Sequence, residues 1–120
     1  MRDEATALRA KLFRGLADSS RLGVLEALSD GPLSVGDIVA RTGLSQPNAS
    51  MHLACLADCG LVTRERQGKH AFYGIADKRV LKLLDQAEEL LSQVGGLIGA
   101  CPRYRGPGGR RWTRTSRARR

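Results

Sequence analysis

The chain has 120 residues, which suits one domain with its own core and leaves little room for a second. Aromatic residues are only 4% of it, so Leu, Val, Ile and Ala must supply the core, which favours helices packed on helices. The net charge of +8 is concentrated: residues 1–101 hold twelve Lys or Arg against twelve Asp or Glu, whereas residues 102–120 hold eight Arg and no acid. The basicity therefore describes a C-terminal tail suited to nucleic acid or another polyanion. Met1-Arg2-Asp3-Glu4 lacks the apolar core of a secretory signal, and no apolar run reaches the roughly 18 residues of a membrane span, so a soluble, cytoplasmic protein with no membrane partner is expected. Three Cys cannot all pair internally, and in a reducing compartment they are expected as free thiols.

Leu8, Leu12 and Leu16, with Ala5 a turn earlier, recur at helical spacing and predict a first helix. Ser19 or Ser20 is the expected cap of a second, with Leu22, Leu25 and Leu28 on one face and Asp30-Gly31-Pro32 as its stop. Ser34 followed by Asp37 has the form of a capping arrangement and opens a short third helix through Ile38, Val39 and Arg41. Thr42-Gly43-Leu44 is a tight turn. Ser45 then caps a fourth helix, with Pro47 tolerated in its first turn and Gly60 as the residue just past its end. After Gly60 the period changes. Leu61 to Arg66 and Lys69 to Ile75 are strand-like around a Gln67-Gly68 turn, which predicts a two-stranded hairpin. Asp77 is expected to cap a long helix over about residues 78–94 that Gly95-Gly96 interrupts. Val80, Leu81, Leu83, Leu84, Ala87, Leu90, Leu91 and Val94 cover more than one of its faces. A second copy of the chain is the simplest partner for that excess apolar surface. Residues 102–120, rich in Gly, Arg and Pro, read as a tail without fixed structure, separate from a dimer-forming sensor domain over residues 1–101.

A short helix, a turn with Gly, a second helix that begins polar and a following hairpin make a winged helix-turn-helix. The expected class is mainly α with a small β-hairpin wing, homodimeric. At about 100° per residue, Ala49, Leu53, Leu56 and Gly60 form one stripe of the fourth helix, the side expected to be buried. Pro47, Ser50, Met51 and Ala54 lie on the far side, with Gln46 and Asn48 flanking. Ser45, Gln46, Asn48, Ser50 and Met51 are thus the candidates for base edges in a major groove. Arg64, Arg66, Lys69 and His70 of the wing are candidates for backbone phosphates. Any one of these residues alone would also fit a solvated polar surface. The agreement of turn, cap, hairpin and dimer helix favours operator DNA as the partner.

Cys55 and Cys59 stand four apart on the same helix, a spacing that brings Cβ atoms within roughly 5–6 Å. Both lie beside the core stripe, where two thiolates can grip one ion; a packing role would prefer the stripe itself, although Cys59 alone, just before Gly60, also fits as a small packing residue. Cys101 is the third candidate ligand, and three thiolates select soft ions such as cadmium, lead or trivalent arsenic over magnesium or calcium.

The segments Leu16-Ala17-Asp18-Ser19-Ser20-Arg21-Leu22 through Leu25, Leu44 through Leu53, Leu56 and Cys59-Gly60-Leu61-Val62 resemble the ArsR/SmtB family of metal-responsive repressors. The resemblance spans about residues 8–98. It implies a homodimer built on the first and last helices and repression of a metal efflux or detoxification operon that metal relieves. The third helix has no Cys, so the family's Cys-Val-Cys site is absent. The last helix has Asp77 but no His, so its carboxylate–His zinc site is absent too. What remains is similar to the cadmium/lead sensors of the CmtR type. That likeness implies Cys55, Cys59 and a Cys101 donated across the dimer as ligands, with Cd(II) or Pb(II) as inducer and As(III) or Zn(II) as further options. His52, on the same side of the helix as Cys55 and Cys59, is a candidate fourth ligand; many family members carry His at this position with or without the Cys pair, and that favours a structural or DNA-contacting role there. The basic tail has no counterpart in the resemblance.

Two rivals remain at the level of sequence. One is a repressor whose thiols sense oxidants, although two Cys four apart on a helix are poorly placed for a disulfide. The other is a metal-scavenging protein on the same scaffold. No nucleophile–base pair, phosphate loop or carboxylate pair points to an enzyme.

Overall fold

A computed structural model describes residues 4–101. The chain divides into two compact units, one ending at Lys78 and one beginning at Arg79. The first holds α1 (Glu4–Leu16), α2 (Ser19–Ala27), a 3-10 turn (Leu28–Asp30), β1 (Leu33–Ser34), α3 (Val35–Thr42), α4 (Gln46–Asp58), β2 (Val62–Gln67) and β3 (His70–Ile75). The second is essentially α5 (Lys78–Ala100), whose first residue belongs to the preceding unit. Among the described residues no helix is long and apolar enough to cross a membrane.

The core of the first unit is aliphatic. Val24 and Leu25 of α2, Leu28, Ile38 of α3, and Ala49, Leu53 and Leu56 of α4 are all buried. α2, α3 and α4 touch one another pairwise, and α1 meets α2. Polar bonds fix how the helices meet. The Arg21 Nε donates to the Gly15 carbonyl at 2.6 Å, tying the end of α1 to α2. The Arg41 guanidinium donates to the Ala27 carbonyl at 3.4 Å, tying α3 to the end of α2.

Several expectations need correction or extension. Asp18, not Ser19 or Ser20, caps α2: its carboxylate accepts from the Arg21 N–H at 3.0 Å, and both serines lie inside the helix. A charged acceptor at the N-terminus also meets the positive end of the helix dipole, which a hydroxyl does less well. The wing holds the expected β2–β3 hairpin, and β1 extends it to a three-stranded antiparallel sheet in the order β1-β3-β2. Leu33 pairs with Tyr73 and Ser34 with Phe72. A two-residue strand has no periodicity of its own, and only the pairing with β3 reveals it. Finally, α5 runs through Gly95-Gly96 to Ala100. Each glycine costs a helix about 1 kcal/mol relative to alanine. Both still carry their backbone donor and acceptor, however, and extending a formed helix is far easier than starting one.

The hairpin register is Val62↔Ile75 through Gln67↔His70, so its loop is Gly68-Lys69, one residue later than expected. Gly68 has φ +62°, the left-handed conformation such two-residue loops need.

Candidate nucleic-acid interface and thiolate pair

The helix-turn-helix is α3 and α4, and its turn is closed by side chains. Ser34 Oγ accepts from the Asp37 N–H at 3.2 Å and starts α3. The Thr42 hydroxyl donates to the Ile38 carbonyl at 2.7 Å and accepts from the Leu44 N–H at 3.2 Å, while Gly43 takes φ +78°. Ser45 Oγ then accepts from the Asn48 N–H at 3.3 Å, which starts α4. Ser45 is exposed, and its side-chain oxygen is engaged in capping.

α4 has two sides. Ala49, His52, Leu53 and Leu56 are buried. Gln46, Asn48, Ser50 and Met51 are exposed, and so are Cys55 and Cys59. The helix contains no Lys or Arg. The cations lie on the wing, where Arg64, Arg66, Lys69 and His70 are all exposed.

Sequence reasoning passed over two residues. Tyr73 is the cross-strand partner of Arg64. Its hydroxyl accepts from Arg64 Nε at 3.1 Å, and the guanidinium carbon lies 6.0 Å from the ring centroid. The ring thus restricts a long cationic side chain in advance, lowering the entropy that any further contact of the guanidinium would cost. The pairing was legible only once the strand register was known. Asp18 is the other: besides capping α2, its Oδ2 lies 3.8 Å from Nε2 of His52. His52 is 9% exposed, and its Nδ1 is buried without a hydrogen-bond partner among the described residues. His52 thus holds an interior position against the start of α2.

Cys55 and Cys59 are free thiols one helical turn apart, both exposed. Cys59 is also the C-terminal cap: its N–H donates to the Cys55 carbonyl at 3.1 Å. Gly60 follows with φ +81°, and the Leu61 N–H donates to the Leu56 carbonyl at 2.9 Å, closing the helix just before β2. The pair therefore sits where α4 hands over to the wing. Cys101, the third candidate, is a half-exposed free thiol just past α5. Among the described residues of one chain, no three His, Cys, Asp or Glu side chains stand together as a metal-binding group. Two thiolates on one helical face fit a soft ion, and a fuller set needs a further donor.

Residues 18–64, from the α2 cap to the first half of β2, match the family described as bacterial regulatory protein, arsR family. The chain is 38% identical to a probable mercury resistance operon repressor from Streptomyces lividans, over 85% of this chain and 82% of that protein. It is 37% identical to the HTH-type transcriptional regulator CmtR of Mycobacterium tuberculosis, over 78% and 77% respectively. The solution structure of the homodimeric winged helix-turn-helix DNA-binding domain of Mb0332 from Mycobacterium bovis superposes with a TM-score of 0.67 at 30% identity, covering 78% of this chain and 89% of that one. These are transcriptional regulators rather than enzymes. With its helix-turn-helix, sheet wing and long last helix, the chain belongs to the arsR family of bacterial regulatory proteins.

Proposed function

We propose that this protein is a metal-responsive repressor that binds operator DNA as a homodimer and leaves it when a soft metal ion, Cd(II) or Pb(II), binds through cysteine thiolates. The observation that carries this reading is the position of Cys55 and Cys59: exposed, one turn apart, and on the helix that presents Gln46, Asn48 and Ser50. Names of relatives support it, one being a mercury resistance repressor. Ser45, Gln46, Asn48, Ser50 and Met51 face the major groove. Arg64, Arg66, Lys69 and His70 hold phosphates, with Tyr73 orienting Arg64. The exposed Leu8 and Leu12 of α1 and, in the other unit, the exposed Leu90 and Leu97 of α5 are each apolar residues for a second copy to cover. The Mb0332 domain, homodimeric in solution, is consistent with that assembly.

When bound, the ion supplies a rigid bridge between soft donors, and the chain's own groups do the rest. Cys55 and Cys59 deprotonate to ligate, so binding releases protons and weakens on acidification. Cys101, from either subunit, completes the set. Because Cys59 ends α4 and precedes the wing, constraining it constrains the orientation of both DNA-contacting elements. A metal that favours the free dimer weakens operator binding, and by linkage DNA weakens metal binding by the same factor. A coupling of about 1–3 kcal/mol changes operator affinity roughly 5–150-fold.

The test is a titration of reduced protein with Cd(II), following thiolate-to-metal charge-transfer absorption alongside release of labelled operator. One ion per subunit is expected, with absorption and release both lost in Cys55→Ser and Cys59→Ser while operator binding without metal persists. If those variants still release DNA normally on adding cadmium, the site is wrong. The Streptomyces relative favours one second reading, a mercuric ion held by the Cys55–Cys59 pair alone. A response to Hg(II) that survives Cys101→Ser, with no response to Cd(II), would select it.

A further inference from the structure

We infer that Met51 reads sequence, its side chain seating against the C5-methyl group of a thymine in the major groove; this rests on the DNA-reading role proposed above for α4. Among the described residues, every large exposed apolar side chain but one lies on α1 or α5. The exception is Met51, 57% exposed on α4. At helical spacing it stands one turn from Pro47 and one turn from Cys55, on the side away from buried Ala49, Leu53 and Leu56. Its neighbours at helical spacing are Pro47, Asn48, Ala54 and Cys55, with Ser50 beside it, all exposed and none of them Lys, Arg, Asp or Glu.

α4 has no Lys or Arg, so its own side chains cannot bind DNA through phosphate attraction. What it offers a groove is the hydrogen-bonding set Gln46, Asn48 and Ser50 and, in their midst, one flexible apolar side chain. The base edges of a major groove are mainly hydrogen-bonding groups, and the one apolar group that projects from them is the thymine methyl. A thioether pressed against any other edge would desolvate a polar group without replacing its bond with water, which is unfavourable. Against a thymine methyl both partners lose only apolar hydration, and the unbranched Met adapts to the exact position of the methyl. The three other residue types give α4 its polar recognition, and Met51 adds a requirement for thymine at one position of each half-site.

The experiment uses the full-length, reduced protein. Binding sites are selected from a random duplex library, and each thymine of the selected duplex is then replaced in turn by uracil, which differs only in lacking the methyl. Removal of one methyl contact is expected to weaken wild-type binding by about fourfold at a single thymine per half-site. Met51→Ala should bind the thymine and uracil duplexes equally, and Met51→Leu should restore the preference. The side chain is exposed, so both variants are expected to keep the wild-type melting temperature. Uracil duplexes that all bind as tightly as their parents, or a Met51→Ala protein that still discriminates, would overturn the role of Met51 alone. A library yielding no enriched sequence would overturn the DNA-reading role of α4 itself.

Discussion

Helices α4 and α5 make opposite use of apolar residues. α4 is 13 residues long and buries four of them, on one side. α5 is 23 residues long and buries only Val80 and Gly95, leaving Leu90, Leu97 and Ile98 exposed. The inner side of α4 is completed by α2 and α3 of its own chain. On the dimeric reading proposed above, a second copy would cover the exposed apolar residues of α5. α4 is held by folding within its own unit, whereas α5 would be completed by association.

The sharpest way to break this contrast is to attack the buried side of α4. Leu53→Ala is expected to cost about 2–5 kcal/mol, seen as a lower denaturant midpoint, because Leu53 has no solvent contact and its loss leaves a cavity. A cost below about 1 kcal/mol would mean that the side is not core. The counterpart on α5 is Leu90→Glu. It should leave the helical content of the subunit intact while weakening self-association by about 1.5–3 kcal/mol for each buried Leu lost, read by sedimentation equilibrium. If the oligomeric state does not change, Leu90 lies outside the interface.

Smaller effects sharpen the division within α4. Gly60→Ala places a side chain at φ +81°, where an L-residue is strained by about 1–2 kcal/mol. Open space surrounds the position, so the cost should appear in stability and not as a clash. Ser45→Ala removes the N-cap and should cost about 1 kcal/mol, again in stability. Tyr73→Phe is expected to be near neutral for folding. Without the bond from Arg64 it should weaken operator binding only a few-fold, since a hydrogen bond contributes about 1 kcal/mol net. Operator affinity unchanged by Tyr73→Phe would show that Arg64 needs no such support. Deleting residues 103–120, which lie outside the described residues, should reduce the salt dependence of DNA binding through the loss of eight arginines.

Much of the fold was legible because its signals are local. The caps Ser34 and Ser45, the turn glycine Gly43 and the terminator Gly60 act within four residues of their own positions, and each has the expected partner or φ. The apolar stripe Ala49, Leu53, Leu56 follows from helical spacing alone. The α2 cap was misplaced because Asp18 and two serines compete over three positions, and the choice among them depends on where α1 ends and on the bond that ties Arg21 to Gly15. β1 escaped notice because two residues make no pattern, and the Gly95-Gly96 break was overestimated because local propensity was set against a helix already formed. Within the candidate site, the types and spacing of Cys55, Cys59, Gln46, Asn48 and Ser50 were visible in the chain, whereas Tyr73 was not.

The sequence by itself determined the order of the elements, the helix that presents the polar and thiol side chains, and which of its sides faces inward, since these depend on spacing along a single helix. Only the tertiary structure decided that β3 lies between β1 and β2, that Arg64 meets Tyr73, and that His52 is interior beside Asp18. The β1–β3 pairing, the Arg64–Tyr73 contact and the Asp18–His52 contact join residues nine to forty positions apart. Their geometry depends on how whole elements pack, and no short-range preference of the residues involved encodes it.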